Sequence, residues 1–237
     1  MRFHDAMSGL VIESLPPCKG RTLLIGDIHG CADELKRLLQ KFEPRKKDRI
    51  IALGDLVNRG PKSRKVMKMA RKYGIIPILG NHEMRLLEAR KSNRLGPLKL
   101  RDRLTYAALR ESDWEWMETW PHVIRIKSLN LIAVHGGFLP NKNWKKQSPK
   151  LVTSIQVIDK KGNPTKRSRS STGKPWAKFW MGPEHVVYGH TPNRQALQHQ
   201  KATGLDTGCV YGNALTALSL PQFKFYKVRA DRVYIDD

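Results

Sequence analysis

The chain has few cysteines: only Cys18, Cys31 and Cys209 among 237 residues. They show neither paired spacing nor the knuckle of a zinc finger, which excludes a disulfide scaffold and fits a reducing compartment. Long apolar runs are also missing, and none approaches the roughly 20 residues that cross a bilayer. Glu13, Pro16 and Pro17 interrupt the only stretch where a secretory signal would stand, so the expected location is cytoplasmic, with no membrane partner. Acidic residues are scarce: 21 Asp plus Glu face 44 Lys plus Arg, a formal charge of +23. Such a field gathers anions and disfavours cationic partners. It fits nucleic acid, nucleotides or polyphosphate without choosing among them. The aromatic-interleaved basic motif of a single-strand binder is absent. No internal repeat or long linker divides the chain, and its length suits one domain.

Hydrophobic periodicity sets the architecture. Thr22–Ile25 reads as a strand, followed by a helix whose apolar stripe is Cys31, Leu35, Leu38, Leu39 and Phe42. Arg49–Leu53 and then Ser63–Tyr73 repeat the pair, Gly74 stops the second helix, and Ile75–Leu79 is a third strand. This alternation predicts a parallel α/β arrangement, in which ligands bind beyond the carboxyl ends of the strands. Met84–Trp120 is expected to be mostly helical, with Trp114, Trp116 and Trp120 as packing residues. Leu129–Val134 and Val186–Tyr188 are further strands, and short β-type runs at Leu215–Leu220, Lys224–Val228 and Val233–Ile235 predict an antiparallel closing sheet. Residues 141–178 hold eleven Lys or Arg and a single acid, Asp159. With KKGNPTKRSRSSTGKP at their centre, they are expected to form a basic, partly mobile insertion, which is either a solvated loop or, with Lys174, a contact for RNA or polyphosphate.

Short polar motifs stand at the ends of the predicted strands: GDIHG at Gly26–Gly30, GDLVNRG at Gly54–Gly60, GNHE at Gly80–Glu83, HGG at His135–Gly137 and GH at Gly189–His190. They supply Asp27, His29, Asp55, Asn81, His135 and His190, oxygen and imidazole donors suited to two adjacent divalent cations. Asp55 is the natural bridge. Asp27 and His29, two apart on an extended segment, reach the first cation; Asn81, His135 and His190 complete the second. This donor set accepts Mn²⁺, Fe, Zn²⁺ or Co²⁺, with manganese the first expectation.

The motif series resembles the metallophosphoesterase (calcineurin-like) superfamily, in particular its phosphoprotein-phosphatase branch. Pro192 stands where other branches carry a second histidine after GH. Gly60-Pro61, HGGFLP, VVYGHTP and GLDTGCVYGNALTAL at Gly204–Leu218 are most similar to the diadenosine tetraphosphatases and ApaH-like phosphatases. The resemblance implies a four-layer α/β/β/α sandwich as a single domain over residues 20–237, preceded by an N-terminal extension, 1–19. It implies a metal-dependent phosphohydrolase in which a hydroxide bridging the metals attacks phosphorus in line with the leaving oxygen. In that scheme Arg59 clamps a phosphoryl oxygen, His82 protonates the leaving oxygen, Asn81 contacts substrate and Glu83 orients its neighbours; Arg194, four residues after His190, is a further candidate to reach a second phosphate.

One departure bears on the substrate. Protein phosphatases of this branch carry Asp where this chain has Asn58, and an amide cannot hold an imidazolium electrostatically. A phosphate leaves an anhydride more readily than an alkoxide leaves an ester. Asn58 therefore favours phosphoanhydrides, such as dinucleoside polyphosphates, nucleotides or capped RNA ends, over the alternatives of a Ser/Thr(/Tyr) phosphatase or an inorganic polyphosphatase.

Overall fold

The computed structural model describes residues 9–235. One sheet has the order β1 (Ile12–Ser14), β5 (Val123–Ile126), β6 (Leu131–Val134), β10 (His185–Tyr188), β12 (Ala202–Gly204), β11 (Leu197–His199). The other runs β14 (Lys224–Arg229), β13 (Ala214–Leu220), β2 (Thr22–Ile25), β3 (Arg49–Ala52), β4 (Ile75–Pro77). Within the second sheet β2, β3 and β4 are parallel, and β13 closes it antiparallel to β2.

Strand alternation explains the layering. Leu24, Ile51 and Leu218 of one sheet meet Leu131, Ala133 and Val187 of the other in a shared apolar layer. Their neighbours Leu23, Ile25, Ile50 and Ala52 point outward, beneath the helices. Ile132, Val134, Val186 and Tyr188 face the opposite outer side. Strands buried on both faces read as continuous apolar runs, as these do. Burial of each such side chain stabilises the fold by about 1.5–3 kcal/mol relative to exposure.

Helix α1 (Ala32–Phe42) places Leu35, Leu38, Leu39 and Phe42 on the core. Asp33 and Glu34 in its first turn and Lys41 in its last suit the helix dipole. Helix α2 (Ser63–Lys72) buries Val66, Met67 and Ala70. Three helices, α3 (Asn81–Ser92), α4 (Leu100–Ala108) and α5 (Glu111–Met117), fill the expected helical region, where Trp114 and Trp120 are buried. The second outer layer differs from the first. It is built from single turns, including α6 (Pro149–Val152), and a small sheet of β7 (Val157–Ile158), β8 (Pro164–Thr165) and β9 (Lys174–Pro175).

Three expectations need correction. The basic insertion at 141–178 is folded: Trp144, Trp176 and Trp180 pack with Phe138 against the six-stranded sheet, and Trp176 Nε1 donates to the Gly136 carbonyl at 2.9 Å. Four aromatic anchors outweigh the loop-like composition between them. Ile12–Ser14, expected in an extension outside the domain, forms the edge strand paired in parallel with β5. Val233–Ile235 forms no strand; Val233 makes an isolated bridge to Tyr211. Expectations for residues 1–8 and 236–237 lie outside the described residues. Among the described residues no helix is long and apolar enough to cross a membrane.

Candidate active site

Each motif follows the carboxyl end of a strand. Asp27 and His29 follow β2; Asp55, Asn58 and Arg59 follow β3; Asn81 and His82 open α3 after β4; His135 follows β6 and His190 follows β10. The two sheets end side by side, so donors from both converge. The turns carry strain: His29, Asp55, Asn58, Arg59 and His190 all adopt left-handed backbone conformations, with φ between 46° and 68°. Such residues cost about 1–3 kcal/mol each and persist where the surroundings hold them for function. Close approach explains two glycines. A Cβ at Gly80 would lie 2.2 Å from Asp55 Oδ1, and one at Gly189 would lie 2.2 Å from Asp27 Oδ1.

Hydrogen bonds aim the donor atoms. Asp27 Oδ1 accepts the His190 backbone N–H at 3.0 Å, and Asp55 Oδ1 accepts that of His82 at 3.0 Å. In both carboxylates Oδ2 is left for the cluster: Asp55 Oδ2 lies 3.5 Å from His29 Nε2 and 3.4 Å from His135 Nε2. Asp27 Oδ2 is 3.9 Å from His29 Nε2, and Asn81 Oδ1 is 3.0 Å from His135 Nε2. Carbonyls fix the ring tautomers because they only accept. His29 Nδ1 faces the Val57 carbonyl at 3.1 Å and His135 Nδ1 the Leu53 carbonyl at 2.7 Å, which directs both Nε2 atoms inward. His190 is bonded the other way, Nε2 to the Ser154 carbonyl at 3.1 Å, which leaves Nδ1 for the cluster. A histidine bonded to a backbone carbonyl through one ring nitrogen is the common setting of a metal ligand.

Glu83 holds the second motif. Its carboxylate accepts the backbone N–H groups of Asp55 at 2.8 Å, Leu56 at 2.9 Å, Val57 at 3.2 Å and Gly80 at 3.0 Å. It is fully buried, as an orienting residue should be.

The electrostatics favour added positive charge. Burial, with Asp206 close by, pushes Asp27 well above the usual carboxylate range. Burial also opposes charge on Asp55, but the imidazoles of His135 and His82 outweigh it and hold Asp55 well below that range. Burial works against a charged His135 too, yet Asp55 and Asp27 raise it to about 10. Burial depresses His29 to about 4 and His190 to about 3, so both are neutral donors at neutral pH. A neutral imidazole and a carboxylate are the forms that ligate divalent cations. The donor atoms fall into two sets sharing Asp55. Those of His29, Asp55 and His82 lie within 4.8 Å of one another, as do those of Asp55, His135 and His190. Donor chemistry and orientation therefore fit a pair of divalent cations.

Asp27, His29, Asp55, Asn81 and His190 line a cavity of about 690 Å³, while His135 is fully buried and not part of its lining. Arg59 and His82 are in it, as the sequence predicts. Arg194 is not; it borders a shallower groove alongside, which shares Arg167, Pro192 and Tyr211 with the main cavity. Sequence reasoning missed Arg85, Lys99, Arg101 and Asp102 on one wall and Gln156, Lys166 and Arg167 on the other. Arg85 had a usable signal, since it follows His82 by three and shares its helix face. In the sequence Lys166 and Arg167 stand out only as part of a basic run. Arg167 is fixed by its Nη2 donating to the Pro192 carbonyl at 3.1 Å, which draws the insertion over the site. Asp206 Oδ1 accepts the Gly208 N–H at 3.0 Å within a turn, and the residue also lines the cavity.

Comparison with known proteins agrees with this geometry. The model of the calcineurin-like phosphoesterase family matches residues 20–226. An asymmetrical bis(5'-nucleosyl)-tetraphosphatase PrpE of Oceanobacillus iheyensis is 30% identical over 241 residues, covering 90% of this chain and 93% of that protein. A symmetrical bis(5'-nucleosyl)-tetraphosphatase of Nitrosococcus oceani is 28% identical over 266 residues, covering 85% of this chain and 95% of the relative. Among solved structures, one presented as a candidate diadenosine tetraphosphatase superposes with a TM-score of 0.82 at 33% identity, covering 93% of this chain and 98% of its own. A Saccharomyces cerevisiae protein serine/threonine phosphatase, at 14% identity and a TM-score of 0.58, shares the fold alone; the match covers 98% of this chain and 87% of that one.

Proposed function

This chain belongs to the calcineurin-like phosphoesterase family and is a metal-dependent phosphohydrolase, and we propose that its substrates are dinucleoside polyphosphates, cleaved at a phosphoanhydride. The carrying observation is the cavity itself. Arg59, Arg85, Lys99, Arg101, Lys166 and Arg167 line it together with the carboxylate and imidazole cluster. A chain of several phosphates carries charge along its length, and this wall supplies cations along a length. A single phosphomonoester needs far fewer.

Asp27, His29 and Asp55 would hold one cation, and Asp55, Asn81, His135 and His190 the other; manganese is our first choice for both. When bound, such a pair lowers the pKa of water and neutralises charge on phosphoryl oxygens. The chain's own residues do the rest. Arg59, whose guanidinium lies 5.2 Å from the Tyr211 ring centroid, grips phosphoryl oxygens through its planar fork. His82, buried beside Asn81, delivers a proton to the departing oxygen. Lys166 and Arg167 steady the distal phosphates from the insertion. We infer a cytoplasmic setting, where such nucleotides are found.

A substrate panel with Mn²⁺ tests this reading, comparing diadenosine tetraphosphate, capped RNA, polyphosphate and a phosphopeptide. The highest kcat/KM is expected on diadenosine tetraphosphate, and a higher value on the phosphopeptide would overturn the substrate assignment. Run at rising ionic strength, the panel also reports on the basic surface. If that surface engages polymers, turnover of polyphosphate and capped RNA should fall steeply while a small chromogenic ester changes little. Parallel curves would remove polymers from the account.

A further inference from the structure

The Asn58 argument rests on a missing carboxylate, yet the structure places a carboxylate at the same imidazole. Asp102, on helix α4, is 3% exposed, and its Oδ1 lies 3.9 Å from His82 Nδ1. Asn58 faces the same nitrogen through its side-chain amide at 3.2 Å. We propose that Asp102 is the positioning residue for His82, taking over from helix α4 the task that an aspartate at position 58 would perform.

Three features support this. First, Asp102 is held from the helix that carries its target. Arg85 follows His82 by three on α3, and its Nη1 donates to Asp102 Oδ2 at 3.1 Å, leaving Oδ1 toward the imidazole. Second, Asn58 in either amide orientation offers Nδ1 one neutral hydrogen bond, and its Oδ1 is buried with no partner as placed. A carboxylate beside it accepts the Nδ1–H of the ring when both nitrogens carry hydrogen, and so keeps Nε2–H, the proton for the leaving oxygen, turned toward the cavity. Third, Asp102 itself lines that cavity, although no motif of the sequence contains it. A carboxylate kept for packing alone has no need to sit at the edge of the reacting space. The ring is steadied on its other face by His29, edge-on at 4.8 Å between centroids.

The inference rests on the proposed role of His82 as donor to the leaving oxygen, so the test separates the two. A series of aryl phosphates of decreasing leaving ability is hydrolysed by the Mn²⁺-loaded protein, and the slope of log kcat against leaving-group pKa is read. For Asp102→Asn we expect kcat to fall about ten- to thirty-fold on the poorest leaving group, part of the 10²–10⁴ that a positioned acid contributes. KM and the activity on diadenosine tetraphosphate should change far less, because a phosphate departs with little help. Adding Asn58→Asp to Asp102→Asn returns a carboxylate to Nδ1 and should restore the shallow slope. His82→Asn should show the steep slope by itself, with Asp102→Asn adding nothing further. If His82→Asn leaves the slope unchanged, the role of His82 fails. If His82→Asn steepens it and Asp102→Asn does not, the Asp102 assignment alone fails. Asn58→Asp in the unaltered background covers the case in which Asp102 variants do not fold. With Asp102 already in place, its gain on poor leaving groups should stay below about threefold; a selective gain of tenfold or more would show that Nδ1 had lacked a carboxylate.

Discussion

Asp55→Asn is expected to lower kcat on diadenosine tetraphosphate by about 10³-fold or more while the protein stays folded. Asp55 Oδ2 stands 3.5 Å from His29 Nε2 and 3.4 Å from His135 Nε2, the one atom common to both donor sets. Its other oxygen is already taken by the His82 backbone N–H. An asparagine can keep that second bond with its carbonyl, but it then turns an amide NH₂ toward both imidazoles and removes a charge. Transition-state charge stabilisation by a cation is worth several kcal/mol, and each 1.36 kcal/mol is about tenfold in rate. The fold should survive because the substitution is isosteric and Glu83, not Asp55, ties the turn together. Kinetics, circular dichroism and metal content measured on the same preparation check this. Retention of a tenth of the activity, with normal metal content, would remove Asp55 from the bridging position.

Arg59→Ala should cost about 10²- to 10⁴-fold in kcat/KM, and Arg59→Lys should recover little of it. Two charge-assisted hydrogen bonds from one guanidinium, at about 1.5–3 kcal/mol each, set that range. Arg59 is held in a left-handed turn at φ 67°, immediately before Gly60, and its carbonyl accepts from Arg101 Nη1 at 3.1 Å. The backbone is therefore positioned independently of the side chain, and truncation should leave it in place. A lysine offers one point of charge where the fork offers two parallel donors. If Arg59→Lys matches the native rate, Arg59 supplies general charge rather than a bidentate grip.

How much the sequence discloses depends on the kind of residue. The candidate donors were legible because chemistry confines them: each is an Asp, Asn or His next to a glycine at a strand end, and the fold brings these strand ends together. The parallel strands were legible from apolar runs buried on both faces. β1 and β5 were not, since the three residues of the edge strand and the four of its neighbour carry too little pattern. The insertion reads as a loop because Gly, Pro, Ser and Lys fill its centre, while Trp144, Trp176 and Trp180, which anchor it, lie on either side of that run. Asp102 was beyond reach in principle. Its placement against His82 depends on how α4 packs over α3, and a lone Asp between two arginines reads as a solvated helix face. Arg194 shows the converse, a plausible spacing from His190 that the chain directs into the neighbouring groove.

The central claim is that two divalent cations held around Asp55 drive cleavage of a phosphoanhydride. Metal-stripped protein titrated with Mn²⁺, with cleavage of diadenosine tetraphosphate followed at each addition, tests it most directly. The account predicts no turnover without metal, a rise that levels off at two equivalents per chain, and no recovery in Asp55→Asn. Turnover in stripped protein, or saturation at one equivalent with full activity, would contradict it.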